Sequence, residues 1–411
     1  AMAERTAKVE LVNQYGETEE TFIICQRANI NGGIVFKDPL VEQICLANFD
    51  ADKDGYLTVE EAAAVTSIGS KFRFQQDIIS FDELRYFTGL ETLDREAFYQ
   101  SRNLSYITLP ETIKSIGEHC FYDCRMLRSI VLPENIETIG YACFYYCSQL
   151  ESMDIPSKVQ KLEGNTFESC SLLRSVKMPS SVTSIGERCF QGCTSLERID
   201  IPAGVVQINR CTFYECTSLK EVTMGDYITR ISSEAFYNCE SLKKIVLSSA
   251  LQVIEGNTFR YCSSLERIDI PEKVTTIGGR VFDNCTSLEA INLPESIKSI
   301  DNGAFCNCRS LKTIIIPSKI AEFKTDLFAG CTSLERIDIP ENVSTISGSA
   351  FKGCKSLSEV ISRPIIPPTI SADLFTDAST SLKIKVLPAS LESYKAAKYW
   401  SDYADKIKAI E

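Results

Sequence analysis

A phenylalanine returns every 23 residues from Phe98 to Phe351, at Phe98, Phe121, Phe144, Phe167, Phe190, Phe213, Phe236, Phe259, Phe282, Phe305, Phe328 and Phe351. Twelve returns without a slip restrict the fold to a stack of equivalent coils, because each coil buries its apolar face only against its neighbours. Such a chain spreads its core along one axis and offers an extended surface.

Within a coil the order of residues predicts where strands lie. In FQGCTSLERIDIPAGVVQINRCT, which starts at Phe190, leucine follows the phenylalanine by six residues, as it does in all twelve coils. Ile, Val, Met or Leu then occupy offsets nine and eleven, as at Ile199 and Ile201, so alternate side chains point inward along a strand. Only Ser362 breaks this apolar rule. Proline at Pro110, Pro133, Pro156, Pro179, Pro202, Pro271, Pro294, Pro317 and Pro340 ends the strand, since it lacks the N–H that a continuing ladder needs. Val205 and Ile208 begin a second apolar edge on the return side. The expected architecture is α+β: a single-stack leucine-rich repeat solenoid of about twelve coils, one strand to a coil, over 89–362. An N-terminal segment (1–42), an EF-hand-like helical cap (43–88) and a C-terminal strand–helix cap (363–411) flank it.

This phrase closely resembles the BspA-like leucine-rich repeat family of surface proteins, whose coils read much like SIGERCFQGCTSLERIDIPAGV. The C-terminal stretch VLPASLESYKAAKYWSDYADKIKAIE is similar to the end segment of related Bacteroidetes proteins. The resemblance implies export to the cell surface, binding of host or microbial macromolecules, and no enzyme activity.

Composition narrows the partners. A net charge of −12 argues against nucleic acid, whose phosphates need clustered Lys and Arg to release counterions. No apolar run approaches the ~20 residues of a spanning helix. No leader stands at Ala1-Met2, and a natural one is expected to have been trimmed from an exported chain. A monomer is expected.

Eleven of the 18 cysteines lie three residues after a phenylalanine, from Cys124 to Cys354. Stacked coils give each of these thiols two equal neighbours and no unique partner, so a reduced, buried ladder is expected in place of disulfides. Cys120, Cys124, Cys143 and Cys147 form two Cys-x-x-x-Cys pairs on adjacent coils, a possible four-thiolate zinc set. The neighbouring coils mostly put Ala or Thr before the phenylalanine, which favours small-residue packing.

The clearest chemical motif precedes the repeats. In NFDADKDGYLTVEEAAAV, Asp50, Asp52, Asp54, Tyr56 (through its carbonyl), Thr58 and Glu61 occupy positions 1, 3, 5, 7, 9 and 12 of an EF-hand loop, which predicts one calcium ion as cofactor. Gly55 permits the sharp turn, and Leu57 is expected to pair with a neighbouring strand. FRFQQDIISFDEL offers a degenerate second loop that aligns Ile79 with Leu57 and Glu83 with Glu61. Its first and third positions are Phe72 and Phe74, which cannot ligate through their side chains. A dockerin-like assembly module, in which the calcium domain docks a protein, is therefore the alternative function.

Enzyme readings lack parts. The sole histidine, His119, cannot supply the partners of a His-dependent triad, and no glycine-rich phosphate loop occurs. Function is expected on the outward sheet face, toward a protein or glycan. SLERIDIP occurs three times, three coils apart, and sets Arg198 with Asp200, Arg267 with Asp269, and Arg336 with Asp338 at intervals of roughly 14 Å. A less charged start of the face carries Tyr106 and Thr108. Trp400, the only tryptophan, is placed in the C-terminal cap, with an exposed ligand anchor as its other reading.

Overall fold

A computed structural model describes residues 32–411 and, before them, the backbone of two antiparallel strands, β1 (Glu4–Val12) and β2 (Thr18–Arg27). The β-branched and apolar runs KVELV and ETFIICQ lie in these two. Helix α1 (Pro39–Phe49), the calcium-motif loop and the short helix α2 (Val59–Ala64) follow. The rest is a solenoid of about 14 turns closed by helix α3 (Leu391–Ala396) and a final strand, Ile407–Ala409.

Most coils contribute two short parallel strands, where one was expected; the first row lapses at 129–132 and shrinks to single bridges at Lys244 and Thr313. The first row contains Arg198–Asp200 paired with Glu221–Thr223 and Arg336–Ile339 paired with Glu359–Ser362, in a register of 23 residues. The second row, on the return side, contains Gln207–Ile208, Arg230–Ile231 and Val253–Ile254. Both rows turn alternate residues into one core, so Ile199, Ile201, Val205 and Ile208 of a single coil are all buried.

The repeat phenylalanines form the third side. All twelve are fully buried, and successive rings stack with centroids 5.2–5.8 Å apart and planes within 13°. Phe72 stacks on Phe98 at 5.5 Å and Phe375 on Phe351 at 5.6 Å, so the column continues beyond the strict period at both ends. Strand pairing does the same: Ser80–Phe81 joins Tyr106–Ile107, and Lys383–Val386 joins Glu359–Ser362.

An unusual backbone holds this corner. The residues two before and two after each phenylalanine have positive φ: His119 (54°) and Asp123 (60°) around Phe121, Cys211 (54°) and Glu215 (58°) around Phe213. This left-handed conformation alternates the direction of the N–H groups. Those of His119, Phe121 and Asp123 donate to carbonyls of the next coil, at Tyr141, Cys143 and Tyr145, while Cys120, Tyr122 and Cys124 bond within their own turn. The inter-coil bonds offset a conformation that costs a non-glycine residue roughly 1–2 kcal/mol.

Every ladder cysteine has a second role beyond packing. The Cys124 thiol donates to the Phe98 carbonyl at 3.1 Å, Cys239 to Phe213 at 3.2 Å, and the pattern holds through Cys354 and Phe328. In the Phe98 coil Ser101 occupies this place, and its hydroxyl donates to the Phe72 carbonyl at 2.6 Å. Burial pushes these thiols up, Cys262 to about 12, which suppresses the reactive thiolate. No cysteine of the described residues is in a disulfide, and only Cys306 is partly exposed. Thiol reagents are thus expected to label Cys306 among residues 32–411 under native conditions and the ladder only after denaturation. Cys239→Ala should lower stability by about 1–2 kcal/mol through a lost hydrogen bond and a small void; a native disulfide map from mass spectrometry would contradict this picture.

At the C-terminal end Ser362, the exception to the apolar rule, shares a buried 2.8 Å hydrogen bond with Tyr394, whose hydroxyl also donates to the Pro364 carbonyl at 3.0 Å. Trp400 is fully buried, meets Phe375 edge-on and donates to the Pro368 carbonyl at 2.8 Å. Its reading as an exposed ligand anchor is corrected: it closes the core. The helix of the expected C-terminal strand–helix cap is the short α3, flanked by two 3-10 turns.

Candidate functional site

The calcium-motif loop is built around its carboxylates. Ligating oxygens of Asp50, Asp52 and Asp54 lie within 4.8 Å of one another, and no other group of three His, Cys, Asp or Glu side chains among the described residues converges this closely. The Cys120, Cys124, Cys143 and Cys147 set therefore does not form the zinc site that was considered; its sulfurs serve the core and the ladder.

Backbone N–H groups hold the acids inward. Asp50 accepts from Lys53 at 2.8 Å and Gly55 at 3.0 Å, Asp52 from Asp54 at 3.1 Å, and Asp54 from Tyr56 at 2.9 Å. Gly55 has φ +87°, which the turn requires of a residue without Cβ. Glu61 spans the loop: one oxygen accepts from the Ala51 N–H at 2.9 Å, and the other accepts from the Thr58 N–H at 2.8 Å and its hydroxyl at 2.9 Å. The Glu61 N–H donates back to the Thr58 hydroxyl, completing a capping box at the start of α2. These bonds, with those from Thr58 foremost, hold the Glu61 carboxyl below its ordinary pKa.

The strand partner of this loop differs from the sequence expectation. Leu57 accepts from the Ile34 N–H at 2.7 Å, and Gly33 bridges Thr58 antiparallel. Ile79 does not pair with Leu57. The segment read as a degenerate second loop is the first coil of the stack, with Phe72 in the aromatic column and Phe81 in the core. Glu83, aligned earlier with Glu61, is buried and accepts from the Lys37 N–H at 3.1 Å. The missing second loop removes the paired geometry on which the dockerin-like alternative rested.

Asp38 joins the two parts. One oxygen caps α1 through the Leu40 N–H at 3.0 Å, and the other accepts from Ile79 at 2.7 Å, beside the first sheet strand. Loop, helix and first coil thus share one hydrogen-bonded junction.

On the sheet face the outward charges are where the period places them, and they are paired. Arg198 bonds Asp200 and, across one coil, Glu221, both at 3.1 Å; Arg267 bonds Asp269 at 3.2 Å. Arg336 turns to Glu359 at 3.2 Å, and Asp338 takes a two-pronged contact from Arg363 at 2.7 and 2.6 Å. Tyr106 is half-exposed, and the Thr108 hydroxyl donates to Asp82 at 3.1 Å. Self-paired charges offer little net field to a ligand.

The residue that sequence reasoning missed is Ile315. It is 81 % exposed on the first strand row and lies in a depression of about 520 Å³ with Thr313, Pro340, Arg336, Asp338 and Arg363. Period two was the available signal, since in Ile314-Ile315-Ile316 the flanking residues face the core and the middle one faces out.

No helix among the described residues is long and apolar enough to cross a membrane. His119 lies on the turn among Tyr99, Tyr122 and Tyr141, and burial pulls its pKa below the usual histidine value.

The family profile described as BspA type leucine rich repeat region matches residues 66–197, 183–301 and 278–399. No curated protein matches the chain. Among solved structures, a leucine-rich repeat protein from Bacteroides ovatus aligns at 24% identity over 100% of this chain and 99% of its own, with a TM-score of 0.72. A leucine rich cell surface protein from Faecalibacterium prausnitzii aligns at 25% identity over 76% of this chain and 85% of its own, with a TM-score of 0.47. The first likeness shows a shared fold along the whole chain.

Proposed function

The chain belongs to the BspA-type leucine-rich repeat family, and from that premise we propose that it is a non-enzymatic adhesion or ligand-binding protein, secreted or held at the cell surface. Its macromolecular partner docks on the outward sheet face. The observation that carries this reading is the depression at Ile315, where an exposed apolar side chain is bordered by Arg336 and by the Arg363–Asp338 pair. An apolar centre with a polar, charge-paired rim is the anatomy of a protein contact, which favours a protein over a glycan at this place. Arg198, Asp200, Arg267 and Asp269 extend the same face, and Tyr106 with Thr108 mark its start.

We also assign one calcium ion to Asp50, Asp52, Asp54, the Tyr56 carbonyl, Thr58 and Glu61. The converging carboxylates and the glycine-permitted turn fit an oxygen-ligated cation. Bound there, calcium would supply charge neutralisation and rigidity to the cap.

The test is a screen of host extracellular and microbial surface proteins, with and without calcium. A specific protein partner is expected, and Ile315→Glu should weaken its binding at least tenfold, since a central apolar anchor contributes most. Joint reversal of Arg198 and Arg267 should change affinity less, because exposed pairs contribute little. A partner whose affinity is untouched by Ile315→Glu and by reversal of Arg336 would place the site elsewhere.

A further inference from the structure

The return-side strand row carries a groove of its own. Two depressions, of about 620 and 460 Å³, share Lys161 and Glu163 as a common wall. They run across the strands Thr138–Ile139, Lys161–Leu162 and Ser184–Ile185 as far as Asn209. Three coil spacings make this roughly 14 Å, longer than one sugar ring.

Its shape follows from the residues three before the phenylalanine, which are Glu118, Tyr141, Gly164, Glu187 and Arg210 in successive coils here. Gly164 leaves a gap one coil wide between Tyr141 and Glu187. The Tyr141 ring leans into that notch: a Cβ on Gly164 would sit 3.2 Å from one ring carbon and 3.5 Å from another. Tyr141 stays 43 % exposed at the groove's edge. Gly256, Gly279 and Gly348 repeat the gap further along, without a flanking aromatic in the row, so the aromatic at Tyr141 is what distinguishes this place.

The lining is charged but balanced. Lys161 and Glu163 pair with each other at 2.8 Å, Glu137 and Glu187 are matched in number by Lys158 and Arg188, and hydroxyl and amide groups fill the spaces between. Balance gives no advantage to a polyanion. A row of acceptors interleaved with donors suits a ligand whose groups both donate and accept, as sugar hydroxyls do, and a half-exposed tyrosine adds an amphipathic ring for their C–H faces. We propose that this groove is a subsite for a neutral oligosaccharide, with Tyr141 as its aromatic platform and Glu163, Lys161 and Glu187 as hydroxyl partners.

The probes are cello-, xylo-, manno- and malto-oligosaccharides of four to six residues, with a heparin hexasaccharide as the acidic counterpart, titrated calorimetrically into the full chain. One neutral series is expected to bind, Tyr141→Ala to weaken it at least tenfold, and Tyr141→Phe to retain it. Ile315→Glu should leave it unchanged, which separates this site from the protein-docking face. Tyr141 is exposed, so its variants are expected to melt as the parent does. Binding by none of the neutral series, preference for the heparin fragment, or affinity indifferent to Tyr141→Ala would each overturn the proposal.

Discussion

Phe213→Ala is expected to lower the unfolding free energy by about 3–5 kcal/mol, the range for removing a fully buried phenylalanine when the surroundings relax only partly. Phe213 lies in the middle of the column, stacked on Phe190 at 5.5 Å and on Phe236 at 5.2 Å. In a quasi-one-dimensional protein, stability is a sum of coil terms and neighbour terms. One substitution here weakens its own coil and two interfaces. The void cannot close by sliding, because the flanking N–H groups of Cys211, Phe213 and Glu215 are pinned to carbonyls of Ser233, Ala235 and Tyr237 in the next coil. Phe213→Leu should recover a large part of the loss. Urea unfolding of the two variants beside the parent measures this; a change below about 1 kcal/mol for the alanine variant would mean that the aromatic column is not what couples the coils.

The column also shows how much of the fold could be read beforehand. Leucine, isoleucine and phenylalanine at fixed offsets predicted the coils because burial and period are properties of the sequence. Phe72 and Phe375 fall outside the count, since each sits off the 23-residue beat, and ring stacking places both in the column. The left-handed residues on either side of each phenylalanine carry a sequence signature only in part: Gly192, Asn238, Asn165 and Gly303 are types that tolerate positive φ. Tyr146, Glu215, Glu96 and His119 carry no such signature and are held there by inter-coil bonds. The cysteines were legible as small buried hydrophobes, whereas their donation to the phenylalanine carbonyl 26 residues earlier depends on coil geometry. Arg198, Arg267 and Arg336 were correctly placed outward, but pairing with Glu221 and Glu359 on the following coil quiets the charges that made them attractive as a site. Ile315 was not singled out, although the same alternation that turns Ile314 and Ile316 inward turns it outward.

Calcium is expected to raise the melting temperature, and the effect should reach beyond the loop. Binding to the folded loop alone adds RT ln(1 + [L]/Kd), about 2.7 kcal/mol when calcium stands at a hundred times its dissociation constant. The three aspartates repel one another without a cation, so the loop gains most from neutralisation. Its link to the solenoid runs through Leu57 with Ile34, and then through Asp38, which caps α1 and accepts from Ile79 beside the first strand. Chelation should therefore increase amide exchange in α1 and the first coil as well as in residues 50–61. Glu61→Gln should abolish most of the calcium-dependent gain, and Asp50→Ala all of it. The two differ without calcium: Glu61 also closes the capping box of α2, so its variant should be less stable even in chelator, whereas Asp50→Ala relieves repulsion. Because the Glu61 carboxyl is held below its usual pKa by the Thr58 N–H, its contribution is present above the ordinary glutamate range and fades only as pH falls through the lowered value. Differential scanning calorimetry with calcium and with chelator, near neutrality, reads all of these changes; identical melting in both conditions would remove calcium from this loop and leave the acids as a hydrogen-bonded turn.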